Sequence, residues 1–156
     1  MKHIISVAVE NKFGVLARVS GLFSARGFNI DSLAVGETED PTISCMTIVV
    51  KGDDKILEQV KKQLNKLIDV ISVKDFVNKE HIDRELLVFK IGVDKKTKPK
   101  ALRTLKRFGA NAIKASADTV MVEAVGDPSH ILKMLEALKG FKVKEMVRTG
   151  RIAMAL

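Results

Sequence analysis

Three observations predict an α+β protein built from two βαββαβ repeats in tandem. Strand-like and helix-like periodicities follow the order β-α-β-β-α-β up to residue 77, and the same order starts again near residue 86. The pairs Gly52-Asp53 and Gly126-Asp127 hold the same place in each round, after a strand and before a helix. A polar stretch, Asn78-Lys79-Glu80-His81, separates the rounds. The order is that of the ferredoxin-like plan, and it divides the chain into a domain over residues 1–77 and a second over 78–156. Domains this short bury only about 60% of the surface their unfolded chains expose, so packing against a partner is expected.

In the first round, Ile4 to Val9 is short, apolar and β-branched, and Glu10-Asn11 ends it as a buried strand. A turn containing Gly14 leads into a helix with Val15, Leu16, Val19, Leu22 and Phe23 on one stripe, stopped by Gly27. Phe28 to Glu37 and Thr42 to Lys51 read as a hairpin around Thr38-Glu39-Asp40-Pro41. Asp53 caps a second helix whose stripe is Ile56, Val60, Leu64 and Leu67, and Val70 to Val77 closes the round as a strand.

The second round repeats the scheme with a strand from Leu86 to Val93 and a polar connection to Pro99. A helix then carries Ala101, Leu102, Leu105 and Phe108 and ends at Gly109. A hairpin turns at Asp118, and Asp127-Pro128 starts a helix with Ile131, Leu132, Leu135 and Leu138 on its apolar stripe. The last strand runs from Val143 to Val147, with a short tail from Arg148.

A composition of 46% hydrophobic and 29% charged residues belongs to a folded globular chain rather than a disordered one. The single cysteine, Cys45, excludes an intramolecular disulfide and points to a reducing compartment. Met1-Lys2-His3 leads into strand residues rather than an apolar leader, and no apolar run approaches the ~20 residues of a membrane helix. A cytoplasmic protein is expected. The net charge of +8 is uneven: residues 1–76 hold 10 basic and 10 acidic side chains, residues 77–156 hold 17 and 9. A basic half suits nucleic acid, an acidic partner protein, or a solvated surface.

Catalysis finds little support in the residues. His3, His81 and His130 are isolated, without metal-ligand spacing, and Cys45 sits mid-strand as an inert thiol. Glu39-Asp40 and Asp53-Asp54 read as a turn and a helix start. RNA-recognition domains share the strand and helix order but present aromatic rings to stack bases. This chain has no Trp or Tyr, and only Phe28 and Phe89 fall near suitable strand positions. Lys95, Lys96, Lys98, Lys100, Arg103, Lys106 and Arg107 form a basic cluster that reads as a solvated helix face or an anionic contact.

The stretch Asn11 to Leu33 is the most informative. A glycine-containing strand-to-helix turn leaves N–H groups unpaired beside a positive helix end, a place that suits a small anion such as an amino acid's carboxylate. Asn29, read as lying inside the second strand, offers a donor and an acceptor for an ammonium or carboxylate. Against this, Gly14 can serve merely to turn the chain and Asn11 to bond its own backbone.

The residues Glu10-Asn11-Lys12-Phe13-Gly14-Val15-Leu16-Ala17-Arg18-Val19, Gly21-Leu22-Phe23 and Arg26-Gly27-Phe28-Asn29-Ile30-Asp31-Ser32-Leu33 resemble an ACT domain, and more narrowly that of the acetolactate synthase (acetohydroxyacid synthase) small regulatory subunits. Asp40-Pro41-Thr42, Met46-Thr47-Ile48 and Leu57-Glu58-Gln59-Val60 fit as well, and the likeness continues to Arg148-Thr149-Gly150. Cys45 departs from it, standing where the family has arginine.

The resemblance implies a non-catalytic subunit of branched-chain amino acid biosynthesis. It would activate the catalytic subunit and mediate feedback inhibition by valine or another branched-chain amino acid. Thiamine diphosphate, FAD and Mg²⁺ would belong to the catalytic partner and none to this chain. Two ACT domains would pair as a homodimer with effector at their interface. One subunit would supply Asn11, Gly14, Val15 and Leu16, and the other Asn29 and Ile30. A stand-alone amino-acid sensor and a nucleic-acid-binding regulator are the alternatives.

Overall fold

The computed structural model describes residues 2–156; the side chain of Ile56, expected on the second helix's apolar stripe, lies outside the described residues. Two compact units result, residues 1–82 with 151–156, and residues 83–150.

The first unit follows the expected order: β1 (Lys2–Glu10), α1 (Val15–Ser24), β2 (Ile30–Glu37), β3 (Ile43–Lys51), α2 (Asp54–Leu64) and β4 (Val70–Asp75). Its antiparallel sheet has the strand order β2-β3-β1-β4. Alternation sends Ile5, Val7 and Val9 of β1 and Met46, Ile48 and Val50 of β3 to one face. There they form a core with Val15, Val19 and Phe23 of α1 and Leu57, Val60 and Leu64 of α2. Leu57, which the sequence reading left off the stripe, belongs to this core. Gly27, at φ +72°, ends the first helical segment, with Phe28 N–H donating back to Phe23 O at 3.0 Å.

Strand β2 begins at Ile30, so Phe28 and Asn29 lie outside it, contrary to expectation. The ring of Phe28 accounts for this. It packs edge-on against Phe23, with centroids 6.5 Å apart, and fills the space that a Cβ on Gly52 would need. Segment 28–29 is thereby drawn toward the helices instead of into the ladder.

The second unit holds most of β5 (His81–Gly92), then α3 (Lys98–Arg107), β6 (Asn111–Ala115), β7 (Thr119–Gly126), α4 (Pro128–Ala137) and β8 (Val143–Arg148). Its sheet order, β6-β7-β5-β8, reproduces that of the first unit. Leu87, Phe89 and Ile91 of β5 and Val120, Val122 and Ala124 of β7 form its core with Ala101, Leu105, Ile131, Met134 and Leu138. Met134 replaces Leu132, which is 59% exposed.

Two boundaries differ from the expected domains. The polar stretch ending at His81 was read as linker, yet β5 already starts at that residue. Residues 151–156, assigned by sequence to the second domain, belong to the first unit. Ile152–Ala155 form a strand there, β9, which pairs with β5 and lies against β1 and β3.

Candidate functional site

Asn11 follows β1 directly and ties two turns together. Its N–H donates to Thr42 O at 2.7 Å, and its Nδ2 donates to Glu37 Oε1 and Pro41 O, both at 3.0 Å. The side chain therefore bonds across to the β2–β3 turn rather than to its own backbone. Its Oδ1 has no hydrogen-bond partner among the described residues.

Gly14 stands at the N-cap of α1 with φ +80°, a left-handed conformation that favours glycine. No side chain caps this helix, and no acidic residue lies in its first turn. Val15 N–H makes a long bond to Lys12 O, at 3.4 Å, and the start of the helix, with the positive end of its dipole, is left without a side-chain acceptor. The Val15 side chain is buried in the core, whereas Leu16 is 44% exposed.

Arg18, which is not among the expected site residues, also lies at this helix start. Its Nη1 would lie 3.0 Å from a Cβ on Gly14. Its Nε and Nη2 donate to Asp69 Oδ2 at 3.0 and 2.7 Å. A buried carboxylate therefore holds a guanidinium one turn below the open helix start. The spacing of four residues from Gly14 is the signal that could have found it. On the other side, Lys12 pairs with Glu10, whose hydrogen bond and charge raise the lysine's pKa.

Asn29 and Ile30 are not gathered with these groups within one chain. Ile30 pairs with Val50, whereas Glu37, the contact of Asn11, pairs with Ser44. The two sets stand at opposite ends of β2, about 20 Å apart at the rise of a strand. Asn29 is exposed, and its Nδ2 donates to Asp31 Oδ1 at 3.2 Å, so it is no buried strand amide. Asp31 also lies 3.6 Å from Lys2 Nζ.

Cys45 is half-buried, with its Sγ 3.4 Å from Ser6 Oγ. Neither Phe28, packed over Gly52, nor Phe89, buried in the second core, offers a free ring for base stacking. No group of three or more His, Cys, Asp or Glu side chains fit to hold a metal occurs among the described residues. None of the described helices is long and apolar enough to cross a membrane.

A β2-β3-β1-β4 sheet with two helices in βαββαβ order is the ferredoxin-like plan. Residues 5–72 match the family described as the AHAS small subunit-like ACT domain, so the first unit is an ACT domain. Residues 84–156 match the family described as the small subunit of acetolactate synthase.

The chain is 44% identical over 154 residues to a probable acetolactate synthase small subunit of Archaeoglobus fulgidus, covering 99% of this chain and 96% of that protein. It is 46% identical over 154 residues to that of Methanothermobacter thermautotrophicus, covering 98% and 92%. The crystal structure of the acetolactate synthase small subunit from Thermotoga maritima superimposes with a TM-score of 0.88 at 35% identity, over 100% of this chain and 98% of that one. The chain belongs to the acetolactate synthase small-subunit family.

Proposed function

We propose that this chain is a regulatory subunit of acetolactate synthase, activating the catalytic subunit and conferring feedback inhibition by a branched-chain amino acid, with valine the first candidate. The observation that carries the reading is the uncapped start of α1 at Gly14, with Arg18 beside it. An effector carboxylate meets the N–H groups at Gly14, Val15 and Leu16, an interaction worth at most ~2 kcal/mol from the helix dipole. The ammonium meets Asn11 Oδ1 and Asn29, and the aliphatic side chain lies against Leu16 and Ile30. Burying that side chain adds roughly 1.5–3 kcal/mol. The affinity is modest and reversible, as sensing a metabolite requires.

The wide separation of the two residue sets supports a homodimer. Strand β2 is an edge of its sheet. If two copies pair antiparallel through β2 about a twofold axis, the Ile30 end of one meets the partner's Glu37 end, where Asn11 is held. Each dimer then carries two equivalent sites. Inhibition follows only if valine binds one state of the holoenzyme better than another. Thiamine diphosphate, FAD and Mg²⁺ are assigned to the catalytic partner and none to this chain. The chain alone should therefore form no acetolactate.

Reconstitution tests the reading. Adding this chain to its purified catalytic subunit should raise acetolactate formation, and valine should then lower it. Unchanged rates in both steps would reject it, and failure to co-purify from native extract would favour a stand-alone sensor.

The basic half favours one addition. Lys95, Lys96, Lys98 and Lys100 crowd the positive end of α3, which has no acidic residue in its first turn, a placement that destabilises an isolated helix. Lys95, Lys96, Lys100, Arg103 and Lys106 take part in no ion pair among the described residues. This face is assigned to docking on an acidic surface of the catalytic subunit. Charge reversal at Arg103 and Lys106 should weaken association, most at low salt. If the face served nucleic acid instead, the same variants would lose salt-sensitive binding to a labelled oligonucleotide.

A further inference from the structure

The face of the first unit's sheet turned away from α1 and α2 is composed largely of small residues. Cys45 lies there between Ala8 and Gly36, and Thr47 between Ser6 and Ala34. Thr47 and Val49 point to this side, away from the helical core, yet are only 4% and 1% exposed. Strand β9 lies against β1 and β3, and its Ala153 N–H donates to Thr47 Oγ1 at 3.4 Å. Arg151 N–H donates to Ser32 Oγ at 2.9 Å, and Leu156 N–H to Glu80 O at 3.3 Å.

The large side chains of this segment contribute little to its attachment, since Ile152, Met154 and Leu156 are all exposed. The hold comes from backbone hydrogen bonds: N–H groups on the Ser32 and Thr47 hydroxyls and on Glu80 O, together with the pairing of β9 to β5. Such a contact can form and release without repacking a core.

The point of attachment is specific. The β2–β3 register shifts between Ile30 and Ser32, so Ser32 is the first regular residue after a bulge. It lies in an edge strand, held by ladder bonds on one side. Two and three residues before it, across Asp31, come Ile30 and Asn29, half of the candidate effector site.

We propose that residues 151–156 are a latch on the ACT sheet. By holding Ser32 the latch sets the position of the Asn29–Ile30 end of β2, and through it the concentration at which effector acts. The proposal rests on the effector-site reading above for its consequence, but not for the latch contact itself.

The test compares the full chain with Ser32→Ala, Thr47→Val and a chain ending at Gly150. Hydrogen exchange on the free proteins and valine titration of the reconstituted holoenzyme are the two readouts. Backbone amides of residues 32–36 should exchange at least fivefold faster in Ser32→Ala and in the shortened chain. The half-inhibiting valine concentration should shift at least threefold, with activation in the absence of valine unchanged. Thr47→Val keeps the buried volume while removing the acceptor, so the test survives if the shortened chain fails to fold. Unchanged exchange in β2 overturns the latch. Faster exchange with an unchanged valine response overturns its regulatory role. If the full chain itself gives no valine response, the effector-site reading fails, and exchange alone then supports or overturns the latch contact.

Discussion

At φ +80°, Gly14 holds a backbone conformation that only Asn and Asp among larger residues adopt with any ease. That tolerance allows a charge-specific test. Gly14→Asp and Gly14→Asn carry side chains of nearly equal size, but only Asp places a carboxylate beside the helix start and Arg18. Calorimetry should find valine binding abolished by Gly14→Asp and weakened less, on the order of tenfold or about 1.4 kcal/mol, by Gly14→Asn. Equal losses would remove the anion-site role. A second glycine is fixed by packing: a Cβ on Gly52 would fall 1.9 Å from Phe28 Cε1. Gly52→Ala should cost about 1–3 kcal/mol in urea unfolding as the ring is displaced, and it should disturb the adjoining Asn29. Gly14 was legible from sequence because a strand-to-helix turn needs such a residue. The closeness of Phe28 to Gly52 was not, since it joins residues 24 positions apart.

Helix starts carry the next set of expectations. Asp53 caps α2 by accepting from Lys55 N–H at 2.8 Å, and Asp53→Ala should cost about 0.5–2 kcal/mol. Asp127 accepts from Ser129 and His130 N–H, both at 2.9 Å. The His130 backbone bond is the leading cause that holds its carboxyl below the usual range. Asp94 is lowered in the same way, first by the Thr97 backbone N–H. A carboxylate whose folded pKa is depressed stabilises fully above its unfolded pKa, near 4, and that contribution is lost as pH falls through the lower folded value. The second unit should therefore lose stability on the acid side of pH 4. Asp127→Asn, which still caps but does not titrate, should flatten that limb in circular-dichroism melts. Both capping aspartates were evident from Gly-Asp before an apolar stripe. Strand β9 was not, because four residues of Ile-Ala-Met-Ala carry no local mark of the sheet they join. Its hydroxyl acceptors Ser32 and Thr47 lie more than 100 positions away. The early start of β5 was hidden likewise, since the polar residues ahead of Leu86 do not read as strand until a partner strand is known.

At the scale of the whole molecule, the proposed pairing through β2 would make effector binding a property of the dimer. Diluting the protein below its dimer dissociation constant should weaken valine binding in step with the loss of dimer, and sedimentation beside calorimetry would detect it. Concentration-independent affinity would place the complete site within one chain. The repeat of the βαββαβ order was readable from periodicity, and the left-handed turn at Gly14 from its place between strand and helix; the proposed pairing of the site's halves rests on the resemblance together with the strand register. The two edges of the ACT sheet also differ in kind. β4 carries Lys74 and Asp75, edge charges that discourage a further strand. β2 has no lysine or proline between Ile30 and Glu37, and Val35 lies open on it. A newly made chain thus has one edge guarded against stray association and one left adhesive. Its first encounter should be with another copy of itself, before any catalytic subunit. Where copies are scarce, that same open strand is the place from which aggregation should begin.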